Sequence, residues 1–218
     1  MTRGITLASN KNLLFSRLHI TPLVVIAGLT YLVCLLFAGA SDLGYLVRYI
    51  FVPVPIVLMA LIGFEKYAWK WSWINPWFSH RPILEGTWVG ELQSSWVEPG
   101  SNEQIAPTKC AVVIRQTFTS LSLRLFTKES QSFLVAENVL KNDDGTYRIA
   151  CVYQNEPSIE LRGVRSEIHY GAMLLNVSSA SLAGHYWTDR KTNGTIQIEF
   201  RSKTLATSFD DATQPTGD

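Results

Sequence analysis

Charged residues are scarce in this chain of 218 residues, of which 17% are Asp, Glu, Lys or Arg, against about 25% in an average soluble domain. Residues 1–85 carry seven basic and three acidic residues, whereas residues 86–204 carry twelve of each. Binding to a nucleic-acid backbone requires a positive excess, so the neutral region argues against a nucleic-acid polymer as partner. A hydrophobic content of 47% excludes a disordered chain.

Cysteines are also few. The chain has three, and an odd number excludes a framework built entirely of paired disulfides. Cys34 lies in an apolar stretch, which leaves Cys110–Cys151 as the alternative pair. Free thiols in a reducing compartment are the favoured interpretation.

Motifs for catalysis and metal binding are missing. The four histidines are scattered, and His185 has no partner at the spacing of metal ligands. No strained turn that would present a nucleophile is visible. We therefore predict that the protein is not an enzyme and holds neither a metal nor a cofactor.

Long uncharged stretches are present near the N-terminus. Residues 20–41 contain no charge, and about 20 helical residues cross the ~30 Å hydrocarbon core of a bilayer. A second apolar stretch covers residues 44–64, where Pro53 and Pro55 are expected to kink a helix. We predict two transmembrane helices within residues 1–82. A cleaved signal peptide is the alternative, but its apolar region would be shorter.

The flanking charges predict the orientation of these spans. Basic residues precede the first span and follow the second: Arg3, Lys11, Arg17, Lys66, Lys70 and Arg81. The positive-inside rule places both ends in the cytoplasm. Four tryptophans follow the second span, which is typical of the membrane interface, although a core aromatic patch is the alternative: Trp69, Trp71, Trp73 and Trp77.

From Gly86 onward, hydrophobic residues alternate with polar ones, as in β-strands. Turn signals at Asp143–Gly145 and Asn193-Gly194 separate some of these alternating segments. We predict an antiparallel up-and-down β-barrel in residues 83–204, with a sandwich as the alternative, and a disordered tail over residues 205–218. The eight predicted strands are Thr87–Ser94, Lys109–Gln116, Ser120–Lys128, Phe133–Leu140, Tyr147–Gln154, Ile168–Val177, Leu182–Thr188 and Thr195–Ser202.

Connection lengths predict where such a barrel binds a ligand. The long loops 95–108 and 155–167 and the turn 189–194 share one end, and an open end with long loops can hold a ligand. A barrel filled with side chains is the alternative.

The polar stretch 185–194 ends a strand at this mouth. An aromatic ring can stack on a base, an arginine can bind phosphate, and Thr or Asp can contact a base edge. A solvated hairpin tip is the alternative. The candidate ligand-binding residues are Tyr186, Thr188, Asp189 and Arg190, with Arg162 and Arg165 in the neighbouring loop.

The whole chain resembles the two-transmembrane β-barrel effectors of CBASS antiphage defence. The resemblance rests on the two spans, the Trp-rich exit, the opening LEGTWVGEL and the closing HYWTDRKTNGTIQIEF. It implies a multi-pass protein of the bacterial inner membrane whose cytoplasmic barrel binds a cyclic dinucleotide made by a CD-NTase. It further implies that binding drives self-association, and that the membrane segments then disrupt the bilayer and kill the infected cell.

Two other functions remain open at this point. A membrane-anchored, lipocalin-like barrel would bind a lipid or another apolar molecule. A purely structural barrel would bind only a partner protein. The contents of the barrel mouth distinguish these hypotheses, because a dry apolar lumen favours the first and a filled lumen the second.

Overall fold

The structure is a computed structural model that describes residues 25, 27–33, 36, 53–76, 80–97, 104–164 and 166–214. The chain divides into two compact units, Met1–Phe78 and Ser79–Asp218.

In the first unit, residues 27–33 are helical and helix α1 covers Pro53–Lys66. Both prolines lie at the N-terminal end of the described part of this helix. Residues 51 and 52 lie outside the described residues, so the kink at Pro53 and Pro55 stays a prediction. Among the described residues, no helix is both long enough and apolar enough to cross a bilayer. The remainder of the two predicted spans lies outside the described residues.

The tryptophans that follow α1 differ in exposure. A 3-10 turn covers Ala68–Lys70, and within it Trp69 is buried. Trp71 and Trp73 are exposed, with ring centroids 5.9 Å apart. Trp77 lies outside the described residues. The interfacial role predicted for these side chains stays a prediction.

The second unit contains a closed barrel in which each strand pairs with the next and β1 pairs with β8. This order confirms the up-and-down barrel and excludes the sandwich. All pairings are antiparallel. The strands are β1 Gly86–Ser94, β2 Thr108–Gln116, β3 Leu121–Thr127, β4 Ser130–Lys141, β5 Tyr147–Pro157, β6 His169–Val177, β7 Ser181–Thr188 and β8 Asn193–Ser202.

Aliphatic and aromatic side chains fill the end of the barrel where the chain enters. Trp88 is buried, and its indole N–H donates to the Leu84 carbonyl at 2.9 Å. The Gln116 amide holds the same entering segment, since it accepts from the Leu84 N–H and donates to the Pro82 carbonyl. This half of the lumen is therefore a packed core.

The predicted disordered tail is wrong for residues 205–214. Helix α2, Phe209–Thr213, begins at Ser208, whose side chain accepts from the Asp211 N–H. Ala206 and Ala212 are buried in a second apolar cluster outside the lumen, against Ala111, Val113 and Phe126. These outward-facing apolar residues of β2 and β3 explain the correction, because the tail covers them. Residues 215–218 lie outside the described residues.

The hairpin between β7 and β8 differs from its predicted turn. Asn193 and Gly194 are the first residues of β8 and pair with Trp187 and Tyr186. The turn is made instead by residues 189–192, where Lys191 has a φ of 61° and the Thr188 N–H donates to the Thr192 carbonyl. Gly194 instead leaves room for the Gln93 carbonyl of β1 and for the ring of Tyr186, both of which an added Cβ would collide with.

Candidate functional site

A cavity of about 520 Å³ lies at the end of the barrel that carries the long loops. This volume is within the usual range of small-molecule sites, roughly 300–1,000 Å³. The open mouth predicted from connection lengths is therefore present, and the described lumen is not filled throughout. The two loops 104–107 and 158–168 and the β7–β8 turn each supply residues to its wall.

The inward rows of the strands become polar as they approach this cavity. In β3 the buried leucines Leu121, Leu123 and Leu125 are followed in the same row by Thr127. In β5 the row continues from Cys151 to Tyr153 and Asn155. Successive residues of a strand face opposite sides, so each row reaches the cavity with a side chain that can form hydrogen bonds.

The cavity lining combines apolar residues with many hydroxyl groups. Leu92, Leu125 and Met173 belong to the lining and also contact the barrel core. Hydroxyls come from five of the eight strands and from the β7–β8 turn: Ser94, Thr108, Thr127, Ser130, Ser132, Thr188 and Thr192. Such a lining suits a ligand with flat apolar surfaces and many polar atoms.

Two tyrosines in the lining each pair with a glycine on the next strand. Tyr153 is opposite Gly171, and a Cβ added to that glycine would collide with the tyrosine ring. Tyr186 is opposite Gly194, where an added Cβ would lie 2.7 Å from the ring. The glycines thus leave room for both rings to lie against the adjacent strand.

The hydroxyl of Tyr153 is held in its protonated form. Burial raises its pKa most, and the neighbouring Tyr186, Cys151 and Asp189 raise the pKa further. A protonated phenol can donate one hydrogen bond and accept another. At neutral pH it therefore offers the cavity a donor without adding negative charge.

Arg190 is the one arginine or lysine that lines the cavity among the described residues. Its Nη1 donates to the Ser166 hydroxyl at 3.0 Å. A guanidinium has five N–H donors in a planar fork that matches phosphate oxygens. Glu129 and His169 also belong to the lining, so the mouth carries both signs of charge.

The six candidate residues from the sequence divide into three groups. Tyr186, Thr188 and Arg190 line the cavity. The structure does not bring Asp189 and Arg162 into its lining, and Arg165 lies outside the described residues.

Asp189 and Arg162 both contact strands next to the mouth, and their role in ligand binding stays a prediction. The Asp189 carboxylate accepts from the Tyr170 N–H at 3.0 Å and so ties the turn to β6. The Arg162 Nε donates to the Pro157 carbonyl, and its Nη2 lies 3.7 Å from the Glu156 carboxylate.

Sequence reasoning missed most of the cavity lining. Tyr153, Asn155 and Ser132 come from the strands, and Trp96 and Ile105 from the loop between β1 and β2. A signal for the strand residues exists: each is a polar residue in the inward phase of a strand, at the end that leads to a long loop. The loop residues have no such signal, because a loop has no fixed periodicity.

The two cysteines of the barrel are buried free thiols, as favoured from the sequence. Burial, with a smaller contribution from Glu91, raises the pKa of Cys110 to about 12. Burial, with Glu137 adding to it, raises the pKa of Cys151 to about 12. Only the thiolate is a nucleophile, so both behave as apolar core residues at neutral pH. In the described ranges, His, Cys, Asp and Glu form no group of three that could hold a metal ion.

Comparison with known proteins identifies the relatives of this barrel. Residues 79–200 match the family model described as the Cap15 cyclic dinucleotide receptor domain. The chain is also similar to CD-NTase-associated protein 15 of Staphylococcus schleiferi, with 25% identity over 146 residues, which are 67% of this chain and 75% of that protein. The matched residues include the cavity and more than half of the chain, which confirms the resemblance to CBASS effectors. The chain belongs to the Cap15 cyclic dinucleotide receptor domain family.

Proposed function

We propose that this protein is the effector of a bacterial CBASS antiphage system and that the cavity in its barrel binds a cyclic dinucleotide made by a CD-NTase. The observation that carries the proposal is the cavity of about 520 Å³ within the residues that match the receptor-domain family. It lies at the mouth of a barrel that is otherwise packed.

The chemistry of the lining supports this ligand class. A cyclic dinucleotide has two flat bases, two sugars and two phosphates. The rings of Tyr153 and Tyr186 offer stacking surfaces for a base, and Arg190 offers a phosphate contact. The hydroxyl groups offer both donors and acceptors to sugar and phosphate oxygens. The guanidinium of Arg190 would balance one of the two phosphate charges of the ligand.

The proposal also covers the events that follow ligand binding. Ligand binding drives self-association of the barrels, and the two apolar N-terminal segments then disrupt the inner membrane and kill the infected cell. The barrel and both chain ends face the cytoplasm, where the synthase releases its product. The apolar stretches 20–41 and 44–64, the flanking basic residues and the family membership support this sequence of events.

Calorimetric titration of the full chain tests the binding step. The ligands are cyclic di-AMP, cyclic di-GMP, cyclic di-UMP and mixed cyclic dinucleotides. Saturable binding of one of them, with one site per barrel, is the expected result. A folded protein that binds none of the panel overturns the proposal. Cells that make both the chain and the matching synthase should lose inner-membrane integrity, and cells that make the chain alone should not.

A lipid or another apolar molecule is the second candidate ligand. Leu92, Leu125 and Met173 favour it, because they give the cavity an apolar portion. The many hydroxyls and Arg190 oppose it, because they would lose hydrogen bonds to water without replacement. Extraction of a lipid from the purified protein, together with no response to cyclic dinucleotides, would favour this alternative.

A further inference from the structure

Four polar side chains are buried among the residues that the structure describes: Thr87, Gln116, Ser132 and Asn155. For two of them, hydrogen bonds to other segments of the chain explain why a polar side chain is buried there. Thr87 bonds to the C-terminal segment through Thr204 and Ala206. Gln116 uses both its amide oxygen and its amide nitrogen on the segment that enters the barrel. The remaining pair lies in the cavity wall.

Ser132 on β4 and Asn155 on β5 are direct partners in the strand register. The Ser132 hydroxyl donates to the Asn155 Oδ1 at 2.9 Å. This bond fixes the plane of the amide and turns its oxygen toward β4. The two side chains are only 3% and 9% exposed, so neighbouring residues hold them in place.

The amide nitrogen of Asn155 has no hydrogen bond to any part of the chain that the structure describes. Because this nitrogen lacks a partner in the chain and yet is not among the fully enclosed polar atoms, it is accessible from the cavity. Folding alone would favour an apolar residue at this position, as at Cys151 and Ile149 earlier in the same row. The Asn155 Nδ2 donor is therefore available to a ligand that enters the cavity.

We propose that Asn155 contacts the edge of one base of the bound ligand and that Ser132 is the positioning residue that fixes its amide. This inference rests on the proposed function. Asn155 Nδ2 donates to a base acceptor, and the second lone pair of Oδ1 accepts from a base N–H. Because Arg190 comes from a different part of the barrel, phosphate binding and base recognition use separate groups.

The hydrogen-bond donor and acceptor of the Asn155 side chain predict how substitutions there change the affinity for each ligand. Asn155→Leu removes both functions and should lower the affinity for the best wild-type ligand at least tenfold. Asn155→Asp replaces the donor with an acceptor of nearly the same shape. A carboxylate accepts from the N1–H and N2–H of guanine and is poorly suited to the ring acceptors of adenine. The affinity for cyclic di-GMP relative to cyclic di-AMP should therefore rise at least tenfold.

Ser132 variants test the positioning role. Ser132→Ala leaves the amide free to rotate, so it should lower the affinity for the best ligand more than the affinity for the second-best ligand and thereby reduce the ratio between them. Ser132→Thr keeps the hydroxyl and should restore that ratio. A merely structural role predicts lower stability in Ser132→Ala with an unchanged ratio, which would overturn the assignment of Ser132.

The test is calorimetric titration of the full chain and its variants with cyclic di-AMP, cyclic di-GMP, cyclic di-UMP and a mixed dinucleotide. Gln116→Leu is the matched control, because it removes a buried amide outside the cavity and should keep the wild-type order of ligands. Wild-type binding with an unchanged order of ligands in Asn155→Asp and Ser132→Ala overturns this inference alone. A wild-type chain that binds no member of the panel overturns the proposed function, and this inference with it.

Discussion

The ring of Tyr153 occupies the space above Gly171, its direct partner on the neighbouring strand. All three atoms nearest to a Cβ placed on Gly171 belong to this tyrosine side chain. An aromatic ring that covers a glycine on the adjacent strand is a recognised way to stabilise a sheet. Here the pairing also fixes the direction in which the tyrosine hydroxyl enters the cavity.

Gly171→Ala should therefore displace Tyr153. We expect a loss of about 1–3 kcal/mol in the free energy of unfolding, as for other overpacked sites, measured by urea denaturation. In a Tyr153→Ala background the same change should cost little, because the collision is absent and alanine lowers the entropy of the unfolded chain. Equal effects in both backgrounds would contradict this account.

Arg190 and Arg162 provide a matched pair of arginines near the mouth, of which only Arg190 lines the cavity. Arg190→Ala should weaken binding of a cyclic dinucleotide about 10-fold or more, since a charge-assisted bond to phosphate is lost. Arg162→Ala should leave the dissociation constant nearly unchanged. The measurement is calorimetric titration at fixed salt, and similar losses in the two variants would argue against the cavity as the binding site.

Thr87 holds the C-terminal segment on the outside of the barrel. Its hydroxyl donates to the Thr204 carbonyl at 2.6 Å and accepts from the Ala206 N–H at 3.0 Å. Thr87→Val should lower the free energy of unfolding by about 1–3 kcal/mol, because both backbone groups lose their partner. Thr87→Ser keeps the hydroxyl and serves as the control.

Shortening the chain after Lys203 completes this test. The truncated protein exposes the apolar cluster around Ala111 and Phe126, so it should be less stable than the full chain. In that background Thr87→Val should cost less than half of its effect in the full chain. An undiminished effect would show that Thr87 stabilises the barrel by another contact.

The buried thiols predict how stability depends on alkaline pH. The pKa of Cys110 and that of Cys151 are each about 12 in the folded protein and about 8.5 in an unfolded chain. Below pH 8.5 both states bind the protons and stability is unaffected. Above it only the unfolded chain releases them, so the free energy of unfolding should fall as the pH rises.

Urea denaturation between pH 7 and pH 10 measures this effect. Each thiol that ionises only in the unfolded chain contributes a slope of about 1.4 kcal/mol per pH unit. A Cys110→Ala, Cys151→Ala variant should show a shallower decline than the wild type above pH 9, whatever its stability at pH 7. Identical slopes would mean that the thiols ionise equally in both states.

Much of the barrel could be predicted because strand signals are local. The alternation in Leu121–Leu125 and Ile196–Phe200 marks strands without reference to any other part of the chain. The observed strands begin and end within three residues of the predicted ones. The position of the open mouth could be predicted from the loop lengths, because in an up-and-down barrel every second connection lies at the same end.

The individual site residues were harder to predict. Tyr186, Thr188 and Arg190 lie in an unusual polar stretch, and the structure places them in the cavity lining. Ser132 and Asn155 lie in ordinary strand sequence and are 23 residues apart. Nothing in either segment shows that the two side chains bond to each other, because their register depends on the bulge in β4 between Leu134 and Ala136.

The sequence by itself determined the class of the barrel, its eight strands and the end at which it opens, because these depend on periodicity and on chain length between turns. Only the tertiary structure decided that the tail folds onto β1 and β2, since the Thr87–Ala206 bond joins residues 119 positions apart. It also decided that Asp189 bonds to Tyr170 while Arg190 lines the cavity. Asp189 and Arg190 are adjacent in sequence, so the surrounding sequence does not distinguish them. Their contacts differ because different parts of the folded barrel lie next to each side chain.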